Sequence, residues 1–267
     1  MKKTLLALAL ILLSTSAFAQ EWAKARLAAS PRHREWVKVK SGDRVVNAFV
    51  VYPEVKSKAP AVVVIHEIFG MTDWVQLLAD EVAEAGYVAI APDLLSGVTL
   101  PAGDANAVGK AIRDLPPDQI TADLNAVADY VAKLPAANGK VAVAGFCWGG
   151  TQSFRFATNR PSLSAAYVFY GSGPDDVSAI KAPVYGFYAG LDARVGATVP
   201  KTEELMKAAG KKYDVVTYEG AGHGFMRAGD APPPAADADQ KARDAYAGNK
   251  KARDEAWKRW KGLLGKL

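Results

Sequence analysis

The chain has 267 residues, a formal net charge of +5, half of its residues apolar, 23% charged, 15 Pro and a single Cys. That composition excludes a disordered or collagen-like chain, and one thiol excludes an internal disulfide framework. The length fits one large domain or two small ones, and the modest positive balance makes no case for a nucleic-acid partner, because much of it lies in Lys241 to Lys266, where basic and acidic residues alternate.

Lys2 and Lys3 precede an apolar run from Leu5 to Leu13, followed by Ser14 to Ser16 and the small-residue site Ala17-Phe18-Ala19. Residues 1–19 therefore read as a secretory signal, too short for a membrane span. Cleavage after Ala19 leaves 248 residues beginning at Gln20, and the loss of two Lys lowers the net charge to +3. The expectation is a mature protein in the periplasm or the medium, with no stable membrane insertion. An oxidising compartment normally uses cysteines in pairs, so the lone Cys147 is either buried and inert or retained for its reactivity.

Residues 20–34 read as a leader or short helix. Trp36 to Val39, the turn Ser41-Gly42-Asp43 and Val45 to Tyr52 predict an antiparallel hairpin. From residue 60 onward, apolar runs alternate with amphipathic segments. Strands are predicted at Ala61–Ile65, Tyr87–Ala91, Lys140–Ala144, Ala165–Tyr170, Val184–Tyr188 and Tyr213–Tyr218. Helices are predicted at Asp73–Ala85, Ile120–Leu134, after Trp148, at Lys201–Ala209, and at the C-terminus with Trp257, Trp260, Leu263 and Leu264 facing a core. Apolar strands separated by helices belong to a doubly wound, mostly parallel sheet covered on both faces, so residues 35–267 read as one α/β domain. Pro101 to Pro117 reads as a long surface excursion near a substrate entrance, and Pro232 to Asp239 as a connector.

The strand that reaches Ala144 runs into Gly145-Phe146-Cys147-Trp148-Gly149-Gly150 and then a helix. Gly-x-Cys-x-Gly at a strand-to-helix turn is the context of the nucleophile elbow of α/β hydrolases, with Cys in place of Ser. The glycines suit a strained turn that leaves no room for neighbouring β-carbons, and the helix N-terminus is expected to favour the thiolate. A triad then needs an acid and a histidine downstream, each beyond a strand end. Asp192 follows the strand Val184–Tyr188, and His223 follows Tyr213–Tyr218 through Gly220-Ala221-Gly222. Asp192 also reads as a turn cap. His223 has fewer competitors, because the other histidines are His33, in the leader, and His66. The loop Ile65-His66-Glu67-Ile68-Phe69-Gly70 stands where one oxyanion donor belongs, which assigns the two N–H groups to Ile68 and Trp148. Glu67 reads either as a helix cap, a task for which Thr72 and Asp73 are better placed, or as a group in proton traffic, since a carboxylate raises the pKa of a nearby thiol.

These residues together resemble the dienelactone hydrolases. The resemblance runs from about Glu35 to the final helix and rests on His66 to Gly70, Ala91-Pro92-Asp93-Leu94, Gly145 to Gly150, Asp192 and Gly222-His223-Gly224-Phe225-Met226-Arg227. It implies an α/β-hydrolase fold and hydrolysis of esters and enol-lactones through Cys147, His223 and Asp192. It also implies that Glu67 takes the thiol proton when substrate binds, and that Arg227 is one of two arginines holding a substrate carboxylate. The second is expected just after Asp93-Leu94, where the chain reads Leu95-Ser96-Gly97-Val98; Lys110 and Arg113 are the nearby cations left to replace it. The resulting expectation is a monomeric hydrolase, independent of metal and cofactor, acting on a small ester, lactone or thioester. An acyl transferase, a broad carboxylesterase or a non-catalytic binding protein would use the same pocket.

Overall fold

The computed structural model describes residues 21–267, so the expected signal at residues 1–19 lies outside the described residues. Strands β1 (Arg34–Ser41) and β2 (Arg44–Val51) form the expected antiparallel hairpin. They are followed by β3 (Ala59–Ile65), β4 (Val88–Pro92), β5 (Ala137–Phe146), β6 (Ala165–Phe169), β7 (Val184–Ala189) and β8 (Tyr213–Tyr218), in the sheet order β1-β2-β4-β3-β5-β6-β7-β8. Pairing is antiparallel for β1/β2 and β2/β4 and parallel from β4 onward. This is the α/β-hydrolase arrangement.

Alternation along β3 shows how the sheet is covered. Val62 and Val64 point to one face, where they join a core built with α2 (Asp73–Glu84) and α8 (Gln240–Leu264). Val63 and Ile65 point to the other, with α4 (Pro117–Ala132) and α5 (Trp148–Asn159). Both faces are apolar because both are covered by helices. Chain order reverses at β3: the chain passes to β4 on one side and returns to β5 on the other. The crevice beyond the carboxyl ends of β3 and β5 is therefore the topological switch point, where ligands bind in open α/β sheets.

Under that crevice, Phe146, Phe169 and Phe187 occupy matched positions on β5, β6 and β7. Their rings stack at 4.5 and 4.2 Å, and Trp260 of α8 meets Phe169 edge-on at 5.0 Å. The expected placing of Trp260, Leu263 and Leu264 in the core holds, with Trp257 packed at its margin.

Three readings need correction or completion. The excursion Pro101–Pro117 contains a helix, α3 (Ala105–Arg113), capped by Asp104, whose carboxylate accepts from the backbone N–H of Asn106 and Ala107. Of the two readings of the leader, the helix is present: residues 21–28 form α1, with Ala23 and Leu27 in the core. The segment is latched to α2 through Arg32, which donates to Asp80 at 2.6 and 3.0 Å. The charge alternation on α8 is not wholly solvated either. Arg253 is buried and donates to the buried Glu81 at 2.7 Å, and Arg26 of α1 approaches the same carboxylate at 3.1 Å.

Removing every partner of a buried charge strands it. Arg253→Ala leaves Glu81 to Arg26 alone and is expected to destabilise the fold by about 1 to 2 kcal/mol in urea unfolding, while Arg26→Ala and Arg253→Ala together should cost more than the two single changes added. Strict additivity would mean that the two arginines do not share the burden of Glu81.

Candidate active site

The site is built where β5 meets α5. Cys147 has φ 58° and ψ −117°, a backbone conformation that a side chain adopts only when its surroundings impose it. A β-carbon on Gly145 would lie 1.8 Å from the Gly149 carbonyl oxygen, and one on Gly149 would lie 2.4 Å from that of His66. These contacts are the physical reason for the Gly-x-Cys-x-Gly spacing. The Cys147 N–H donates to the Phe169 carbonyl at 3.1 Å, tying the turn to the end of β6.

The Cys147 thiol is half-buried, and the backbone N–H groups of Trp148 and Ile68 favour its ionised form. Its pKa is nevertheless raised, chiefly by burial and then by the charge of Glu67, against which the two N–H groups and Arg227 work. The expected preference for thiolate is thus reversed in the resting site: partial charges at a helix end lose to desolvation and a neighbouring carboxylate.

Glu67 is buried and does not cap α2; Thr72 does, its hydroxyl accepting from Val75 N–H at 3.4 Å. One carboxylate oxygen of Glu67 lies 3.5 Å from Arg227 Nε, while the other is buried without a hydrogen-bond partner. Burial pushes the Glu67 carboxyl above the usual carboxylate range, and the positive charges of Arg227 and His223 oppose that rise. Arg227 lies over the Phe69 ring at 5.4 Å.

Asp192 satisfies both of its readings. One oxygen accepts from Val195 N–H at 3.3 Å, and the other meets His223 Nδ1 at 2.5 Å. The loops that carry them are joined by Leu191 N–H donating to the Ala221 carbonyl at 2.9 Å, and Asn249 of α8 accepts from Gly222 N–H at 2.8 Å. Sequence reasoning missed Asn249, and also Tyr170. Tyr170, at the end of β6, has φ 41°, its ring lies edge-on to His223 at 5.0 Å, and its buried hydroxyl faces the Glu67 charge without a hydrogen-bond partner. A tyrosine closing an apolar strand carries no signal that sets it apart.

Helix α3 lies over the loop after β3. A β-carbon on Gly109 would sit 3.6 Å from the Ile68 side chain, and one on Gly70 would sit 3.6 Å from that of Val108. The excursion therefore borders the site. Of its two cations, Lys110 pairs with Asp114 at 2.5 Å, and an Arg113 guanidinium nitrogen lies 3.5 Å from the same built β-carbon on Gly109 that meets Ile68. After β4, Leu94, Leu95 and Ser96 are buried, with Ser96 Oγ accepting from Asn47 N–H at 2.8 Å.

The dienelactone hydrolase family matches residues 46–267. The chain belongs to that family. A relative from Methylorubrum extorquens, provisionally named a carboxymethylenebutenolidase, is 31% identical over 206 residues, which cover 71% of each chain. A similarly named protein from Saccharolobus solfataricus is 29% identical across 83% of this chain and 94% of its own. Among solved structures, one from Klebsiella pneumoniae provisionally named a dienelactone hydrolase is 25% identical, with TM-score 0.72, covering 88% of this chain and 99% of that one. A dienelactone hydrolase from Anabaena variabilis shares the fold at 19% identity and TM-score 0.58, over 72% and 88% of the two chains. This chain is accordingly a carboxylic ester hydrolase of the dienelactone hydrolase type, acting on small esters or lactones. Among the described residues, no helix is long and apolar enough to cross a membrane.

The charges around the thiol set the expected behaviour of the hydrolase toward alkylation. In the free protein the pH midpoint for iodoacetamide reaction should lie above the value of about 8.5 of an ordinary cysteine. Glu67→Gln removes a negative charge that opposes thiolate and should lower the midpoint, whereas Arg227→Ala removes a positive charge and should raise it. Midpoints unmoved in both variants would detach Cys147 from this cluster.

Proposed function

We propose that the protein hydrolyses small esters and lactones, enol-lactones of the dienelactone kind among them, through a covalent acyl-enzyme on Cys147. The observation that carries this reading is a single thiol on a strained elbow, with two backbone N–H groups turned to its sulfur and a hydrogen-bonded His223–Asp192 pair sharing its charge cluster. In this reading Glu67 receives the thiol proton when substrate binds. The thiolate sulfur then bonds to the carbonyl carbon, and the C=O electron pair moves to oxygen, where Ile68 and Trp148 N–H stabilise it. Collapse of that intermediate breaks the C–O bond, and the proton taken from the thiol passes from Glu67 through His223, oriented by Asp192, to the leaving oxygen. His223 next takes a proton from water, whose oxygen attacks the thioester; collapse releases the acid, and His223 returns that proton to the Cys147 thiolate.

Arg227 is the cation this reading offers to a substrate carboxylate, and Glu67 already engages it at 3.5 Å. A carboxylate-bearing lactone must share that guanidinium, so neutral esters compete well with acidic ones.

Assays of mature protein on p-nitrophenyl esters and enol-lactones test the reading. Cys147→Ala should lower kcat by about 10⁴-fold, or about 5 kcal/mol, and Arg227→Ala should cost a carboxylate-bearing lactone at least about tenfold more in kcat/KM than a neutral ester, about 1.4 kcal/mol. Full activity in Cys147→Ala would remove the covalent mechanism, and equal losses on both substrates would remove Arg227 from recognition. Export is proposed from the charged, apolar and small-residue regions of residues 1–19. N-terminal sequencing should find Gln20 first on protein from the periplasm or the medium; active cytoplasmic protein retaining Met1 would refute it.

A further inference from the structure

His66 lies between β3 and Glu67, fully buried, and its Nδ1 sits 2.8 Å from the Glu67 carbonyl oxygen. A carbonyl oxygen only accepts, so Nδ1 carries the hydrogen. In the neutral ring Nε2 is then a bare acceptor, and it is buried without a hydrogen-bond partner. Burial lowers the pKa of His66 and keeps the ring neutral, against the opposing charge of Asp93. A residue present only to fill space would better be apolar, since an unpartnered ring nitrogen in the interior destabilises the fold.

The accepted bond belongs to the Glu67–Ile68 peptide, which is trans. In a trans peptide the C=O and N–H point in opposite directions across one rigid plane. Holding the Glu67 oxygen from one side therefore aims the Ile68 N–H to the other side, toward the Cys147 sulfur. The His66 ring also stacks on the Trp148 indole, with centroids 5.6 Å apart and planes inclined by 14°. Trp148 supplies the other N–H at that sulfur and opens α5.

We propose that His66 is a positioning residue that aims both oxyanion donors, fixing the Ile68 N–H through the Glu67 peptide plane and holding Trp148 by ring stacking. Its contribution appears when negative charge develops on the substrate oxygen, and it touches no reacting atom. The proposal rests on the reading of Cys147 as nucleophile; full activity in Cys147→Ala would end that reading and leave the ring geometry of His66 untouched.

The test combines two variants with one measurement on unaltered protein. His66→Phe keeps a ring to stack on Trp148 and deletes the donor, while His66→Asn places an amide N–H at about the Nδ1 position. For a neutral p-nitrophenyl ester, His66→Phe should lose about 10- to 100-fold in kcat, less than outright deletion of an oxyanion donor. KM should stay within about threefold and the thermal midpoint should change little, because loss of the stranded Nε2 offsets loss of the Nδ1 donor and the Glu67 carbonyl keeps the Gly70 N–H at 3.2 Å. His66→Asn, which restores the bond to the Glu67 carbonyl and not the stack on Trp148, should recover at least about threefold of the kcat lost in His66→Phe while remaining below the unaltered protein. In ¹⁵N NMR of the unaltered protein at neutral pH, His66 should be the Nδ1–H tautomer. Wild-type kcat in His66→Phe, no recovery in His66→Asn, or an Nε2–H tautomer would overturn the proposal; should His66→Phe not fold, the Asn variant and the tautomer decide it.

Discussion

The first turn of α5 lies against the strand ends at backbone contact distance, and that close approach governs the rest of the site. The would-be β-carbon positions of Gly145 and Gly149 are already occupied by the carbonyl oxygens of Gly149 and His66, so the turn admits no side chain on either side of Cys147. The gain from so tight a fit is positional. A helix N-terminus with its free N–H groups is brought beside the β3 loop, and Ile68 and Trp148 come to share one sulfur. The elbow strain at Cys147 is held by packing below it: the stacked Phe146, Phe169 and Phe187, fixed from one face by Trp260, set the level at which three strands end. The loops leaving β7 and β8 need only a few residues each to bring Asp192 and His223 together.

Electrostatics at this edge works by opposition. Glu67 and Cys147 are both driven toward their neutral forms by burial, and Arg227 pulls each back toward its charged form. Arg227 itself has its pKa raised, with Glu67 as the leading cause. Displacing Arg227 or Glu67 shifts the proton affinity of the thiol, so a ligand that touches either residue reaches the thiol without contacting it. Tyr170 adds to the same cluster: its buried hydroxyl is held far from ionisation by desolvation and by the Glu67 charge.

What could be read from the sequence follows from what each feature depends on. The strands and α2, α4, α5, α7 (Val199–Ala208) and α8 were legible because apolar periodicity reports burial directly, and Cys147, Asp192 and His223 because a strand end followed by a glycine-rich turn is a local pattern. Helix α3 was not, because Gly and Pro around Asp104 read as loop, while its stability comes from the Asp104 cap and from packing over the loop after β3. Arg253 was hidden for a related reason: its partner, Glu81, lies 172 residues away in the chain, and only tertiary structure brings two charges into one buried pair. The sequence offered two opposed effects on the thiol, the helix end and the Glu67 charge; burial, which is not written in local sequence, is the leading cause that decides the sign. The sequence assigned His66 no task of its own. Its meaning lies in a single 2.8 Å contact and a ring stack.

The same opposition bears on why a thiol, rather than a hydroxyl, occupies the elbow. An ordinary cysteine ionises near 8.5, so even when burial and Glu67 raise that value, a buried carboxylate with its own pKa pushed up is a competent acceptor for the proton. A serine hydroxyl is far too weak an acid for that exchange and would depend on His223 alone. The raised thiol pKa also bears on exposure to oxidants, because oxidation proceeds through the thiolate. In the proposed mechanism a cysteine kept protonated until substrate rearranges Glu67 and Arg227 spends little time in its vulnerable form, which suits the oxidising compartment proposed for this protein. Reactivity and protection then come, in that proposal, from one arrangement: the carboxylate whose charge opposes the thiolate at rest is the group proposed to create it.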